Sequence, residues 1–267
     1  MTYATHRARK RFGQHFLQDQ QVIDQIIRAI DPQPGERLLE IGPGLGAITL
    51  PLLRRTGAMM AVELDRDVIP RLIASTKGLG ELTIFQADAL RFDFREAAGT
   101  EGKLRLLGNL PYNISTPLLF HFLEQKDCVQ DMHFMLQKEV VDRMAAGPGS
   151  KTYGRLSVML QAAATVEQLF DIGREAFSPP PKVNSSFVRL VPYVSPPFPI
   201  KDYKMFAFLV VTAFSQRRKT LRNSLKTLLD SDQIELAGVN PAARAETLEP
   251  EQFAQLASLI NSDELIP

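Results

Sequence analysis

Cysteine is almost missing from this chain of 267 residues, in which Cys128 is the only one. A single cysteine excludes an intrachain disulfide and a zinc site built from several cysteines. We therefore predict no metal site. A chain without disulfides fits a reducing compartment, so we expect the protein in the cytoplasm.

Long apolar segments are missing as well. The longest uncharged stretch runs from Leu106 to Leu123, and it contains residues that a membrane span disfavours: Asn109, Pro111, Asn113, Ser115, Thr116 and Pro117. The basic N-terminal segment is not followed by the apolar core of a secretory signal. We expect neither a membrane partner nor export.

An excess of charge of one sign is also lacking, since the formal net charge is +1. A hydrophobic content of 45% is typical of a globular protein with a substantial core. Total charge does not require a nucleic-acid partner, so electrostatic contacts with one would have to come from local basic patches.

The patterns along the chain divide it into three parts: a basic arm over residues 1–18, an α/β domain over 19–195 and a helical domain over 200–267. After a first helix that begins at Asp19, five apolar segments alternate with helical patterns. We predict these segments as strands at Arg37–Ile41, Ala58–Glu63, Leu82–Gln86, Leu104–Gly108 and Met132–Leu136. Such alternation predicts a mainly parallel sheet, with ligands bound at the carboxyl ends of its strands. Four prolines between Val191 and Ile200 indicate a linker.

Polar residues and glycines follow the predicted strands in order. Gly42, Gly44 and Gly46 form a turn after the first strand, where the backbone can approach a ligand closely. Glu63, Asp88 and Asn109 lie at the ends of the next three strands or just beyond them. A glycine turn alone also fits a tight connection without a ligand. Together these residues predict a cofactor that carries adenosine, which fits both a methyltransferase and a nicotinamide enzyme.

The residues after the fourth strand favour methyl transfer. Asn109 offers an amide oxygen, Pro111 biases Leu110 towards an extended conformation in which its carbonyl can project forward, and Tyr112 offers an aromatic ring. Two acceptors and a ring suit a flat amine such as that of adenine. The alternative is a simple turn with a core tyrosine. Cys128 lies outside any loop of this kind and is expected to be structural.

At these motifs the sequence resembles the family of ribosomal RNA adenine dimethyltransferases, most closely its bacterial small-subunit type. The resemblance extends over nearly the whole chain. It rests on seven segments: Arg9–Leu17, Glu40–Gly46, Asn109–Pro117, Gln137–Met144, Tyr153–Val158, Phe177–Ser185 and Gln216–Leu225. It implies a Rossmann-like methyltransferase domain that uses S-adenosylmethionine, followed by a small all-α C-terminal domain.

The resemblance also implies the site residues. S-adenosylmethionine would contact His15, Leu17, Gly42, Glu63, Asp88 and Asn109. The family often has asparagine at the position of His15, which leaves the detailed contact there open. Asn109, Leu110 and Tyr112 would serve catalysis, and Phe177 would flank the target base opposite Tyr112. The alternative for Phe177 is a core phenylalanine at the entrance of a strand.

The implied substrate is a pair of adjacent adenosines in a hairpin loop near the 3′ end of 16S rRNA, in the small ribosomal subunit. Each adenosine would be methylated twice at N6, which makes the chain an enzyme of ribosome biogenesis. We take a monomer as the default state.

Two basic patches are candidates for RNA contact. The N-terminal patch consists of Arg7, Arg9, Lys10 and Arg11, and the C-terminal patch of Arg217, Arg218, Lys219 and Arg222. No acidic residue occurs between Tyr203 and Leu229, and a helix there would place Arg218 and Arg222 one turn apart. The alternative is an ordinary solvated helix face.

Three other functions stay open at this point. A large-subunit adenine methyltransferase of the macrolide-resistance type shares the cofactor motifs, although the C-terminal segment favours the small-subunit type. A ribosome-assembly factor would use methylation mainly to trigger its release. A nicotinamide dehydrogenase would need a substrate domain that the sequence does not contain.

Overall fold

The computed structural model describes residues 15–100 and 102–260. The N-terminal patch of Arg7, Arg9, Lys10 and Arg11 lies outside the described residues. Within those two ranges, no helix combines the length and the apolar character that crossing a bilayer requires.

A seven-stranded sheet and a separate two-stranded ribbon contain the strands of the described residues. The strands are β1 (Phe16–Leu17), β2 (Arg37–Ile41), β3 (Ala58–Glu63), β4 (Glu81–Gln86), β5 (Leu104–Asn109), β6 (Val129–Gln137), β7 (Ala164–Ile172), β8 (Phe177–Ser178) and β9 (Ser185–Pro192). The ribbon pairs β1 with β8 in antiparallel orientation, with Leu17 opposite Phe177.

Helices connect these strands and form most of the C-terminal region. They are α1 (Gln20–Ile30), α2 (Thr49–Thr56), α3 (Ile69–Thr76), α4 (Phe94–Ala98), α5 (Ser115–Glu124), α6 (Lys138–Met144), α7 (Arg155–Gln161), α8 (Tyr203–Phe214), α9 (Leu221–Ser224), α10 (Ser231–Leu236) and α11 (Pro250–Ala257). The predicted start of the first helix is confirmed: Asp19 is the N-cap of α1, and its Oδ1 accepts hydrogen bonds from the amides of Gln21 and Val22 at 2.9 and 3.2 Å.

The large sheet has the order β4-β3-β2-β5-β6-β9-β7. Neighbouring strands from β4 to β6 are parallel, and β9 runs antiparallel to β6. The chain winds outward from β2 in one direction and from β5 in the other, so the switch point lies between these two strands. Open α/β sheets bind ligands beside such a switch point, at the carboxyl ends of the strands. The predicted Rossmann-like fold with a mainly parallel sheet is confirmed.

Close packing at the switch point depends on Gly108. Its φ is 153°, and a Cβ there would lie 2.4 Å from the carbonyl oxygen of Ile41 on β2. Any side chain would therefore push β5 away from β2, next to the ends of the strands that form the site.

Both faces of the central strands are buried in the α/β part, and one core cluster forms around α1. Helix α1 buries the apolar stripe that its spacing predicts, Ile23, Ile26, Ile27 and Ile30, in a cluster with residues of β2, β5 and β6. Phe177 of β8 and Leu17 of β1 belong to the same cluster. The short ribbon is therefore fixed to the core by the side chains of its two facing residues.

The described chain divides into two compact units. The first extends to Val141 and includes Glu167–Pro192, and the second comprises Asp142–Val166 together with the chain from Tyr193 onward. The sequence patterns placed 142–166 in the α/β domain, whereas these residues belong to the second unit. The reason is local packing: Tyr153 is buried and donates from its hydroxyl to the carbonyl of Leu248 at 2.7 Å, and its ring contacts that of Phe214.

The second unit is mainly helical, but the helix that would place Arg218 and Arg222 one turn apart is shorter than the sequence indicated. Helix α9 ends at Ser224, after one turn, and it begins at Leu221 because Thr220 is extended, with φ −73° and ψ 160°. Arg218 precedes the helix, so the prediction that it shares a helix face with Arg222 is wrong.

Candidate active site

A cavity of about 700 Å³ opens at the carboxyl ends of the parallel strands in the first unit. Its lining includes the turn after β2, the end of β3, the loop after β4 and the end of β5. The structure thus brings Gly42, Glu63, Asp88 and Asn109 to one cavity at the switch point, as the sequence predicts. Leu110 and Tyr112 line the same cavity.

The glycine turn leaves room at the cavity floor. Gly42 and Gly44 have φ values of 65° and 55°, a region that disfavours residues with a side chain. A Cβ on Gly42 would meet no protein atom within 4 Å, and Gly42 lines the cavity. The backbone is therefore exposed to a ligand at this position, which fits a nucleoside cofactor that lies close to the turn.

Glu63 is buried and held by two backbone amides. Its Oε1 accepts from the amide of Asp65 at 2.8 Å and its Oε2 from the amide of Gly44 at 3.2 Å. Burial raises the pKa of Glu63, while these two hydrogen bonds oppose that rise. Each carboxylate oxygen has a further lone pair, so a carboxylate fixed in this way can also accept from the hydroxyls of a ribose.

Glu40 is a cavity residue that the sequence reasoning missed. Its side chain is 2% exposed, and its Oε2 accepts from the Thr49 hydroxyl at 2.6 Å. Burial raises the pKa of Glu40 to about 7, the Thr49 hydrogen bond lowers it, and the charge of nearby Glu63 raises it. The sequence did contain a sign of this role, because Glu40 is a carboxylate within the otherwise apolar end of β2, where every residue is buried.

Asp88 follows β4 and begins a tight turn. One of its carboxylate oxygens accepts from the amide of Leu90 at 3.0 Å, and its carbonyl accepts from the amide of Arg91 at 2.9 Å. These bonds orient the side chain at the rim of the cavity, where its second carboxylate oxygen suits an amino group such as that of adenine.

The side chain of Asn109 has a defined orientation. Its Nδ2 donates to the backbone carbonyl of His15 at 3.2 Å. A carbonyl only accepts, so this contact assigns the nitrogen to that side and leaves Oδ1 as the free acceptor of the amide. The amide of Leu110 donates to the carbonyl of Met135 at 3.2 Å, which ties the loop after β5 to β6.

The ring of Tyr112 is held from two sides. Its hydroxyl shares a hydrogen bond of 2.7 Å with the Ser185 hydroxyl, and its ring stacks with that of His15 at a centroid distance of 6.0 Å. Burial raises the pKa of Tyr112. His15 is fixed in turn through its Nδ1, which lies 2.8 Å from the carbonyl oxygen of Pro179.

His15 and Leu17 both line the cavity, where the resemblance placed them. Their position results from the pairing of β1 with β8, two segments that are about 160 residues apart in the sequence. Phe177 does not line the cavity. It is 4% exposed and packs in the core, as in the alternative of a core phenylalanine at a strand entrance.

The C-terminal patch lies in the second unit, and its four members are exposed there. Arg217 is already engaged: its Nε donates to Glu246 at 2.9 Å, and its Nη2 donates to the carbonyl of Lys151. The patch is therefore not uniform, since the charge of Arg217 is partly neutralised by a carboxylate.

No three His, Cys, Asp or Glu side chains within residues 15–100 and 102–260 are grouped so that they could hold a metal ion. Cys128 is buried, and its thiol donates to the carbonyl of Gln125 at 3.1 Å. Burial raises the pKa of this thiol, which makes it a poor nucleophile.

Known proteins similar to this chain are methyltransferases, which agrees with a cavity suited to a nucleoside cofactor. Two proteins named ribosomal RNA small subunit methyltransferase A match along nearly the full length. The one from Idiomarina loihiensis is 52% identical over 264 residues, which cover 99% of this chain and 91% of that protein. The one from Xanthomonas campestris pv. campestris is 56% identical over 253 residues, with coverage of 94% and 96%.

Two solved structures share the fold. A dimethyladenosine transferase from Plasmodium falciparum has a TM-score of 0.76 at 25% identity, covering 91% of this chain and 96% of that one. The 23S rRNA methyltransferase ErmE has a TM-score of 0.73 at 24% identity, covering 92% of this chain and 99% of that one, and shows the fold alone. A family model described as ribosomal RNA adenine dimethylase matches residues 5–262. The chain therefore belongs to the ribosomal RNA adenine dimethylase family.

Proposed function

We propose that this chain dimethylates N6 of two adjacent adenosines in a hairpin loop near the 3′ end of 16S rRNA. Its family makes it an rRNA adenine methyltransferase with S-adenosylmethionine as cofactor. The observation that carries the proposal is the orientation of Asn109, whose Oδ1 is the free acceptor in a cavity that also contains Glu63 and Asp88.

The residues of the cavity fit the cofactor. Glu63 would accept from the ribose hydroxyls, and Asp88 would accept from the adenine amine of the cofactor. Gly42 would let the cofactor lie against the backbone, and His15, Leu17 and Asn109 would complete its contacts. S-adenosylmethionine supplies an electrophilic methyl group on a sulfonium centre.

The loop after β5 would activate the target amine. An exocyclic adenine nitrogen is a weak nucleophile because its lone pair is delocalised into the ring. The Oδ1 of Asn109 and the carbonyl of Leu110 would accept hydrogen bonds from its two N–H groups, which favours a pyramidal nitrogen and stabilises the positive charge that develops on it. A strong base is not required, since the methylated nitrogen is acidic and can lose its proton afterwards.

Tyr112 would hold the extruded base by stacking. The ring of His15 covers one side of Tyr112, so a base would have to stack on the other side. Because Phe177 is buried in the core, a contact with the target base would require that its ring leave the cluster around Leu17. The buried position favours a role for Phe177 in supporting the β1–β8 ribbon.

The substrate we propose is the RNA within the small (30S) ribosomal subunit, bound by a monomer in the cytoplasm. Arg218, Lys219 and Arg222 would contact phosphates in the second unit, with Arg217 contributing less because of Glu246. Arg7, Arg9, Lys10 and Arg11 would form the second contact.

The test is methyl transfer from labelled S-adenosylmethionine to purified ribosomal subunits that lack the modification. Label in the small subunit, with dimethyladenosine at two adjacent positions identified by mass spectrometry, supports the proposal. Label in the large subunit would assign the macrolide-resistance type of activity instead. Stabilisation by NAD but not by S-adenosylmethionine in a thermal-shift assay would overturn both.

A further inference from the structure

Ser185 is a buried polar residue in contact with a residue of the proposed active site. Its side chain is 0% exposed, and its hydroxyl lies 2.7 Å from that of Tyr112. The two residues are 73 positions apart in the sequence, so the contact depends on the tertiary fold.

Because β9 is antiparallel to β6, Ser185 lies at the end of the sheet where the cavity opens. It is the first residue of β9 and pairs with Gln137, the last residue of β6. The parallel strands end at this edge of the sheet, whereas the antiparallel strand begins there. Ser185 is thus two strands from Asn109, at the same edge.

The hydrogen bond restricts the ring of Tyr112. The hydroxyl lies on the axis about which the ring rotates, so this bond does not set the rotation of the ring; it fixes χ1 and therefore the position to which the ring extends. His15 already occupies one side of the ring, with an angle of 26° between the two planes. A flat base can therefore stack on the remaining side only while the ring stays in this position beside His15.

We infer that Ser185 is a positioning residue, whose buried hydroxyl holds the Tyr112 ring at the position at which the target adenine stacks. This inference rests on the proposed function, since it assumes that an adenine is the base in the cavity. Ser185 does not touch the reacting atoms and acts through Tyr112.

The next residue provides a contrast. Ser186 is also 0% exposed, but its hydroxyl donates to the carboxylate of Asp171 at 2.7 Å and accepts from Gln168 at 3.0 Å. Ser186 therefore serves a polar cluster that does not include Tyr112. Removing the Ser186 hydroxyl is therefore a matched control for removing the Ser185 hydroxyl, since both are buried on the same strand.

A double-mutant cycle tests the inference with the full chain and unmethylated small subunits. Ser185→Ala and Tyr112→Phe should each lower kcat by about three- to tenfold, the range for one net hydrogen bond. The double variant should lose no more than either single variant, because both remove the same bond. Ser186→Ala should leave kcat within about twofold of the wild type. Cofactor affinity, measured by calorimetry, and the KM for subunits should be unchanged in all three single variants.

The outcomes separate the inference from the proposed function. A wild type that does not methylate small subunits contradicts the proposed function. A wild type that methylates them, with losses that multiply in the double variant, means that Ser185 does not act through Tyr112 and overturns the inference. If Ser185→Ala does not fold, Tyr112→Phe removes the same bond from the other side, and wild-type kcat in that variant overturns the inference as well.

Discussion

The side-chain amide of Asn109 donates to the backbone carbonyl of His15, a residue 94 positions earlier in the chain. The contact links the loop after β5 to the segment that enters β1. It turns the amide oxygen of Asn109 away from His15, so the acceptor proposed for the target amine is set by a residue that precedes the α/β sheet.

Replacing Asn109 with Asp tests this orientation. A carboxylate cannot donate to the His15 carbonyl, and two facing acceptors repel each other. We expect Asn109→Asp to lower kcat by about 100-fold or more, which is the usual cost of losing one preorganised group that stabilises the transition state. Steady-state methylation of small subunits measures the change.

Asn184 offers the matched control, because its Oδ1 accepts only a long hydrogen bond of 3.4 Å from the amide of Arg174. Asn184→Asp should keep kcat within about threefold of the wild type. Equal losses in the two variants would mean that an added negative charge, and not the orientation of Asn109, limits the reaction.

Glu40 predicts that stability falls as pH rises. Its pKa is about 7 in the folded protein, above the ordinary value of 4.5 that it has when the chain is unfolded, so the folded protein binds the proton more tightly between these values. The contribution of Glu40 to the free energy of unfolding should therefore decrease by up to about 3 kcal/mol from pH 4.5 to about 7, and it should then level off.

Glu40→Gln removes the titration and keeps an oxygen that can accept from Thr49. Urea unfolding at several pH values should show that the variant gains stability relative to the wild type as pH rises from 4.5 to about 7, after which the difference levels off. A difference between the two proteins that does not change with pH would contradict this account of Glu40.

His133 predicts the opposite dependence. It is 1% exposed, and burial lowers its pKa from 6.5 to about 4; Asp131 opposes this shift, while Arg105 and Arg189 add to it. Between these pH values the unfolded chain binds the proton and the folded protein does not. The contribution of His133 to stability should therefore be lost as pH falls from 6.5 to about 4, by up to about 3 kcal/mol.

His133→Phe should remove this loss, since phenylalanine does not titrate and can pack against Phe187, whose ring stacks with that of His133. Thermal unfolding at pH 7.5 and pH 4.5 provides the measurement. A midpoint that falls equally in the variant and the wild type would assign the acid sensitivity to other groups.

The sequence predicted the parallel strands and the cavity residues well, because both depend on local patterns. Glu63 and Asn109 end buried strands, and parallel strands bring such positions to one edge. The strands β7 and β9 were not predicted. The hydrogen bonds of Tyr112 with Ser185 and of Asn109 with His15 could not be predicted, since each joins segments more than 70 residues apart and no local pattern encodes that approach.

Phe177 is a residue for which the resemblance and the structure differ. The resemblance placed it at the target base, whereas the structure packs it opposite Leu17 in the core. A phenylalanine at the start of a strand fits both a contact with the target base and a place in the core. Only the pairing of β8 with β1 decides which of the two environments its ring enters.

The C-terminal patch predicts unequal effects of its arginines on RNA binding. Arg218 and Arg222 are exposed, whereas Arg217 is bound to Glu246 at 2.9 Å and to the carbonyl of Lys151. Affinity for small subunits should fall with salt, and each lost phosphate contact should reduce the slope of log K against log salt by just under about one unit.

Arg218→Gln and Arg222→Gln should each reduce the slope by about that amount. Arg217→Gln should reduce it less, because its charge is already compensated. Filter binding at several salt concentrations distinguishes the three, and slopes equal to that of the wild type in all of them would place the RNA contact elsewhere.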